Sequence, residues 1–205
     1  MYIFEAKGDT RSTTTGIDCD CSRTIFTDKN NLPLNNGDHK IHEKITFNDV
    51  CNINFPLVIG LNPAKGDKDK FDLTNRYLAK YFKNKVCGGY LLYNAYTVVQ
   101  PNKSELIKYI KSNPDDIINN FQDTLVKIIL STTCDIYIFW GKKCSEKRLI
   151  NNAVLIRLIK TLYSSRKIYY SFKKTDKNKE FVHPACAKNN LDFAQINAEN
   201  INLIF

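Results

Sequence analysis

The sequence lacks the motifs that mark several large classes of protein. No segment approaches the roughly 18 apolar residues of a membrane helix, and the first residues, MYIFEAKGDT, have neither a basic start nor a long apolar stretch. No glycine pattern for a dinucleotide or phosphate loop is present, because the pair Gly88-Gly89 enters a strand-like run and does not open a helix. We therefore expect a cytoplasmic protein with no membrane partner.

Cysteine and histidine offer little for a metal centre. The seven cysteines are an odd number without regular spacing, which argues against a secreted disulfide scaffold. A single residue separates Cys19 from Cys21, too short a spacing for the usual zinc or iron–sulfur ligand pair. We expect no metal site.

The chain does contain enough apolar residues for a core, together with an excess of positive charge. Of its 205 residues, 43% are hydrophobic and 12% aromatic, which is typical of a folded domain. The formal net charge of +9 indicates an anionic partner, most often nucleic acid; a basic surface without a specific partner is an equal alternative.

From about residue 55, apolar runs that predict buried strands alternate with amphipathic stretches that predict helices. This alternation predicts an α/β protein with an open parallel sheet and helices on both faces. Residues 1–50, with short strands at MYIFEA and KITFNDV, are interpreted as an extension packed on a domain of residues 51–205. The predicted strands are FPLVIGL, GGYLLYNAYTVV, CDIYIFWG and KIYYSF; the predicted helices are DLTNRYLAKYFKNK with Asp72 as N-cap, PDDIINNFQDTLVKIILST, NAVLIRLIKTLYSS and NLDFAQINAENINLIF.

Polar and aromatic residues follow the ends of these predicted strands. Ligands of open parallel sheets bind at the carboxyl ends of strands. We therefore expect these residues to converge at one edge of the sheet. They are Gly60-Leu61-Asn62-Pro63, Asn94-Ala95-Tyr96, Trp140-Gly141-Lys142 and His183-Pro184.

Four blocks in order, IGLNPA, GGYLLYNAYTVV, YIFWGKKC and HPACAK, resemble the uracil-DNA glycosylase superfamily over about residues 55–205. The same blocks, with DLTNR, also resemble an uncharacterised bacterial and phage family, DUF1643. The superfamily resemblance implies a three-layer α/β/α fold with a central four-stranded parallel sheet. It also implies hydrolysis of the N-glycosidic bond of a flipped-out base, without metal or cofactor.

The resemblance gives three residues a role. Asn62 matches the residue that holds the attacking water, Asn94 the one that reads the base edge, and His183 the one that donates a hydrogen bond to the leaving base. An amide can orient water but cannot take its proton, so Asp67 is an alternative base. The structural alternatives are a turn asparagine before Pro63, an asparagine that caps a loop, and a surface histidine.

The remaining base-binding candidates concern the size and stacking of the base. Ala64 lies where the uracil-specific branch has a bulky tyrosine, which predicts room for a 5-substituted pyrimidine. Phe71 or Tyr77 is a candidate to stack on the base, and core packing explains either equally well. The intercalating leucine expected after the His-Pro pair is missing from Ala185–Lys188 or has moved, with Leu191 as the alternative, which favours single-stranded DNA or a weakened base pair.

A basic segment is the candidate contact with DNA phosphates. Twelve basic residues lie from Lys142 to Lys179, opposed by three acidic residues in or next to that segment. A solvated helix face with a basic loop is the alternative. Arg76 is a further candidate for a phosphate contact; the alternative is an ion pair with Asp72, four residues earlier on the same predicted helix. The candidate DNA-binding residues are Lys65, Arg76, Lys142, Lys143 and Lys188.

The sequence thus predicts a monomeric DNA glycosylase that acts on uracil or a 5-substituted pyrimidine. The alternatives are a catalytically inactive nucleic-acid-binding module on the same fold, and a hydrolase of free nucleosides or nucleotides.

Overall fold

One mixed sheet connects the described parts of the chain. The computed structural model describes residues 1–9, 20–65, 71–100, 102–113, 123–140, 153–174, 179–181, 191–199 and 201. The strands within these ranges are β1 (Tyr2–Asp9), β2 (Asp20–Thr27), β3 (Lys40–Phe47), β4 (Leu57–Gly60), β5 (Gly89–Asn94), β6 (Ile136–Ile138), β7 (Ile168–Lys174), β8 (Lys179–Phe181) and β9 (Leu191–Gln195).

The four strands predicted from apolar runs are β4 to β7, and they form a continuous parallel block. Their spatial order is β5-β4-β6-β7, and each neighbouring pair is parallel. Every residue of β4 is buried, as its uninterrupted apolar sequence predicts for a strand covered on both faces. The predicted α/β class is confirmed.

The predicted sheet of four strands is wrong, because antiparallel strands extend the parallel block at both ends. β3 pairs with β5, β2 with β3, and β1 with β2, while β8 and β9 both pair with β7, giving nine strands in all within the described ranges. The free backbone groups of a sheet edge readily accept a further strand. Residues 1–50, interpreted as an extension, supply three of these strands.

Helices lie on both faces of the sheet. Leu57 and Ile59 of β4 face one apolar cluster, to which three of the helices contribute; Val58 faces the other cluster with the first helix. Among the described residues, no helix is long and apolar enough to cross a bilayer. The helices are α1 (Leu73–Lys83), α2 (Lys103–Ser112), α3 (Asp123–Ser131) and α4 (Ala153–Leu162).

The helix predictions had mixed outcomes. Asp72 is the N-cap of α1, as predicted, and its Oδ1 accepts a hydrogen bond from the Asn75 backbone N–H at 3.0 Å. The helix predicted from residue 190 onward is wrong over Leu191–Gln195, which pairs antiparallel with β7 as strand β9. Leu191 and Phe193 lie on the same face of β9 and pack against the apolar cluster. Pairing with β7 therefore determines the conformation of this segment, which the apolar content alone did not predict.

An aromatic stack crosses the junction between the N-terminal strands and the parallel block. The His42 ring lies between Phe26 and Tyr93, with centroid distances of 3.9 and 4.7 Å and interplanar angles of 15° and 12°. Burial lowers the pKa of His42 from 6.5 to about 4, although the neighbouring Glu43 charge opposes this shift. Between these values the unfolded chain binds a proton that the folded chain does not, so stability falls as the pH decreases through this window.

We expect His42→Phe to remove this dependence while keeping a flat ring in the stack. The stability of the variant relative to the wild type should therefore be greater at about pH 5 than at about pH 7.5. Urea unfolding at both pH values, followed by circular dichroism, measures this difference. An equal difference at the two pH values would contradict the assignment.

Candidate functional site

A small open cavity lies at the carboxyl ends of the central parallel strands. The space within it, counted together with the open solvent at its mouth, is about 270 Å³. Asn62 follows β4, Asn94 ends β5 and Phe139 follows β6, so three neighbouring strands contribute to it. The residues that line this candidate cavity are Lys40, Asn62, Pro63, Ala64, Asp72, Thr74, Leu92, Asn94 and Phe139.

Strand register brings together residues that are distant in sequence. Gly60 pairs with Asn94 in the parallel ladder. A Cβ atom on Gly60 would lie 2.5 Å from Asn94 Oδ1 and 2.7 Å from the Phe139 ring, closer than real Cβ contacts. The glycine in IGLNPA therefore leaves space for both side chains at the cavity. Three of the predicted site residues, Asn62, Ala64 and Asn94, line it together.

The Asn62 side chain is held in one orientation by the backbone. Its Nδ2 donates a hydrogen bond of 2.8 Å to the Gln100 carbonyl. Since the amide nitrogen takes this contact, Oδ1 faces away from Gln100. Within the described part of the chain, no donor reaches that oxygen, which leaves it able to accept a hydrogen bond from water or a ligand.

Asn94 is the most informative of the lining residues, because its side chain lines the cavity and forms no hydrogen bond with the described residues. Only 7% of the residue is exposed. Because the amide borders an open cavity, water can satisfy it when no ligand is bound. A bound group that offers one donor and one acceptor would pair with both ends of this amide.

The N-terminal strands place a buried ion pair beside the cavity. Lys40 and Glu43, 2% and 1% exposed, form an ion pair across one end of β3. Glu43 Oε2 also accepts a hydrogen bond of 2.7 Å from Asn75 Nδ2 on α1. Asn75 Oδ1 accepts one of 2.9 Å from the Tyr90 hydroxyl on β5. One polar network thus joins β3, α1 and β5.

Glu43 is held as a carboxylate inside this network. Burial raises its pKa, but the charges of Lys40 and Arg23, with hydrogen bonds from Lys40 and Asn75, outweigh burial and lower the pKa below 4.5. Arg23, itself fully buried, also lies over the Phe71 ring at 5.2 Å from its centroid. Because the folded-state pKa is lowered, this stabilisation is present above about pH 4.5 and is lost as the pH falls.

Asp72 serves both the helix and the cavity. Its Oδ1 and Oδ2 accept hydrogen bonds of 3.0 Å from the Asn75 backbone N–H and Nδ2, respectively, and it lines the cavity. The predicted pair of Asp72 and Arg76 is not formed, because Arg76 Nε donates instead to the Phe71 carbonyl at 3.1 Å. Capping thus directs the carboxylate toward Asn75 and away from Arg76.

The other predicted site residues lie apart from the cavity or outside the described residues. Phe71 and Tyr77 are buried and do not line it, whereas Phe139 provides the aromatic ring in its lining. Lys65 is exposed directly after the lining residue Ala64. The predicted residues outside the described ranges are Asp67, Lys142, Lys143, His183 and Lys188.

The sequence interpretation missed Lys40, Asp72 and Thr74 as lining residues. One signal was available for their neighbour: Glu43, Ile45 and Phe47 alternate along β3, so they share a face of the strand. All three are buried. A charged residue in register with two apolar core residues indicates a buried ion pair.

Comparison with known proteins identifies a family. The model of a family described as "Protein of unknown function (DUF1643)" matches residues 52–185, and the chain belongs to this family. No curated protein and no solved structure is significantly similar to the chain. Within the described ranges, no group of three or more histidine, cysteine or acidic residues is arranged to hold a metal ion.

We expect Glu43→Gln to destabilise the protein by about 3–5 kcal/mol, because it leaves buried cations without their shared carboxylate. Lys40→Met should lower the free energy of unfolding by a smaller amount, because the Glu43 carboxylate still interacts with the charge of Arg23. Urea unfolding at neutral pH measures both free energies.

The exposed pair of Glu105 and Lys108 is the matched control. It has the same spacing of three residues but is 47% and 72% exposed, so Glu105→Gln should cost less than about 1 kcal/mol. A Lys40→Met variant as unstable as Glu43→Gln would show that the network does not depend on the shared carboxylate.

Proposed function

We propose that the protein is a DNA glycosylase that hydrolyses the N-glycosidic bond of uracil or a 5-substituted pyrimidine. The observation that carries the proposal is the cavity itself, where the amide of Asn94 lies with Asn62 and Ala64 at the ends of adjacent parallel strands. The four blocks that resemble the uracil-DNA glycosylase superfamily include all three residues.

Asn94 would read the base edge. Its amide offers one acceptor and two donor hydrogens, which can satisfy the N3–H and O4 of uracil. Its burial makes this recognition selective, since a base that leaves the amide unpaired forfeits the stabilisation. The Phe139 ring in the lining would contact the base, in the role predicted for Phe71 or Tyr77.

Asn62 would hold the attacking water, and Ala64 would admit a 5-substituent. With its Nδ2 bound to the Gln100 carbonyl, Asn62 presents Oδ1 as an acceptor for a water O–H. The short side chain of Ala64 leaves space in the lining where a larger residue would fill the cavity. His183, at the predicted His-Pro loop, would donate a hydrogen bond to the leaving base as negative charge develops on it.

The DNA backbone would be held by the basic residues. The net charge of +9 supports an anionic partner, and Lys65 is exposed next to the cavity-lining Ala64. Arg76, Lys142, Lys143 and Lys188 complete the proposed phosphate contacts. We propose a cytoplasmic monomer that acts without a cofactor.

We expect the protein to release uracil or a 5-substituted pyrimidine from oligonucleotides that carry natural and modified bases. Mass spectrometry of the freed bases measures this directly. Asn62→Ala and His183→Ala should each slow release by about 100-fold or more, because the water and the leaving group lose their positioned partners. Asn31→Ala, at an exposed loop residue, is the matched control and should leave the rate unchanged.

The competing outcomes are distinct. Wild-type rates in Asn62→Ala and His183→Ala would overturn the assigned roles. Tight binding to abasic or modified DNA without base release would indicate an inactive binding module. Hydrolysis of free nucleosides without competition by long DNA would indicate a nucleoside hydrolase.

A further inference from the structure

We propose that Asp72 is the general base that takes the proton from the attacking water. This inference rests on the proposed glycosylase function and adds the group that Asn62 cannot supply, since a neutral amide has no basic site for the proton. Among the described residues that line the cavity, Asp72 is the one carboxylate.

The Asp72 carboxylate is fixed by two hydrogen bonds from one residue. The Asn75 backbone N–H donates to Oδ1 and Asn75 Nδ2 donates to Oδ2, each at 3.0 Å. Each carboxylate oxygen has a further lone pair for another hydrogen bond. The oxygens therefore remain able to accept from a water in the cavity.

Asn75 connects this carboxylate to the buried network. It is fully buried, and its Nδ2 donates both to Asp72 Oδ2 and, at 2.7 Å, to Glu43 Oε2. The Tyr90 hydroxyl donates a hydrogen bond of 2.9 Å to Asn75 Oδ1. A rotation of the amide that exchanged Oδ1 and Nδ2 would break this bond, so Nδ2 stays directed at the two carboxylates. Asn75 is thus a positioning residue that holds the orientation of Asp72.

Glu43 is not suited to the same task. It is 1% exposed, does not line the cavity, and is occupied by Lys40 and Asn75. Asp72 is half-buried and reaches the cavity directly. The amide of Asn94, on a residue only 7% exposed and without a hydrogen bond to the described residues, lines the same cavity and offers a ligand one acceptor and two donor hydrogens.

In the proposed reaction, one water molecule hydrolyses the bond between C1′ of the sugar and the base. Water donates one O–H to Asn62 Oδ1 and the other to an Asp72 carboxylate oxygen. The water oxygen forms a bond to C1′ of the sugar, and its proton passes to Asp72. The bond between C1′ and the base nitrogen breaks, and its electron pair leaves with the base, which takes a proton from solvent while Asp72 releases its proton to solvent.

We expect Asp72→Asn to lower the single-turnover rate of base release by about 100-fold to 10,000-fold, the usual contribution of a general base. Asparagine is as good an N-cap as aspartate, so α1 should remain intact. The affinity for abasic DNA should be unchanged, and thermal unfolding reports the fold. Asp72→Ser, which also caps a helix, should show the same loss.

Rescue by a small carboxylic acid separates a catalytic role of Asp72 from a structural one, because an added carboxylate can accept a proton but cannot restore a helix cap. Added formate should partly restore the rate of Asp72→Ala and should not accelerate the wild type. Asp49→Asn, at an exposed carboxylate paired with Lys83, is the matched control and should keep the wild-type rate.

The possible failures are separable. An active wild type with unchanged rates in both Asp72→Asn and Asp72→Ser would overturn the role of Asp72 alone. A loss in Asp72→Ala without formate rescue would also count against it. A wild type that releases no base from any substrate would overturn the glycosylase proposal, and this inference with it.

Discussion

The buried carboxylate of Glu43 requires positively charged and hydrogen-bonding partners in the interior. The positions of the elements that supply these partners determine the shape of the cavity. Its carboxylate interacts with Lys40 on its own strand, Arg23 on β2 and Asn75 on α1. Burying an ion costs several kcal/mol unless it is paired and hydrogen-bonded. Because these partners come from different elements, the N-terminal strands, α1 and β5 fit together in one arrangement. The cavity is formed where they meet.

The parallel block could be predicted because its strands are buried on both faces. Such strands appear in the sequence as uninterrupted apolar runs, and LVIG and IYI are examples. β2 has one buried face that includes Arg23 and Thr27, so its sequence looks polar. Helix α2, whose N-cap is Asn102, was also missed, although Leu106 packs in the core. A polar sequence does not reveal that a neighbouring edge will accept it as a strand.

The amides of the site could be predicted in part, and its charges could not. Asn62 and Asn94 follow apolar runs, and the rule that ligands bind at the carboxyl ends of parallel strands then places them together. Lys40 reaches the cavity through the pairing of β3 with β5, a contact between distant segments. Asp72 was recognised as an N-cap from its sequence neighbours. Its second role depends on where α1 lies on the sheet, which local sequence does not specify.

The match to the family model begins at residue 52, whereas Arg23, Lys40 and Glu43 all precede it. The cavity lining therefore comes from both sides of this boundary: the matched region contributes the amides, Asp72 and the aromatic ring, and the segment before residue 52 contributes the ammonium group of Lys40. A substitution of Lys40 alone would change the charge beside the cavity, whereas Glu43 of the same segment must stay because Asn75 links it to Asp72. The positive charge beside the cavity and the amides that line it are thus encoded in different stretches of this chain.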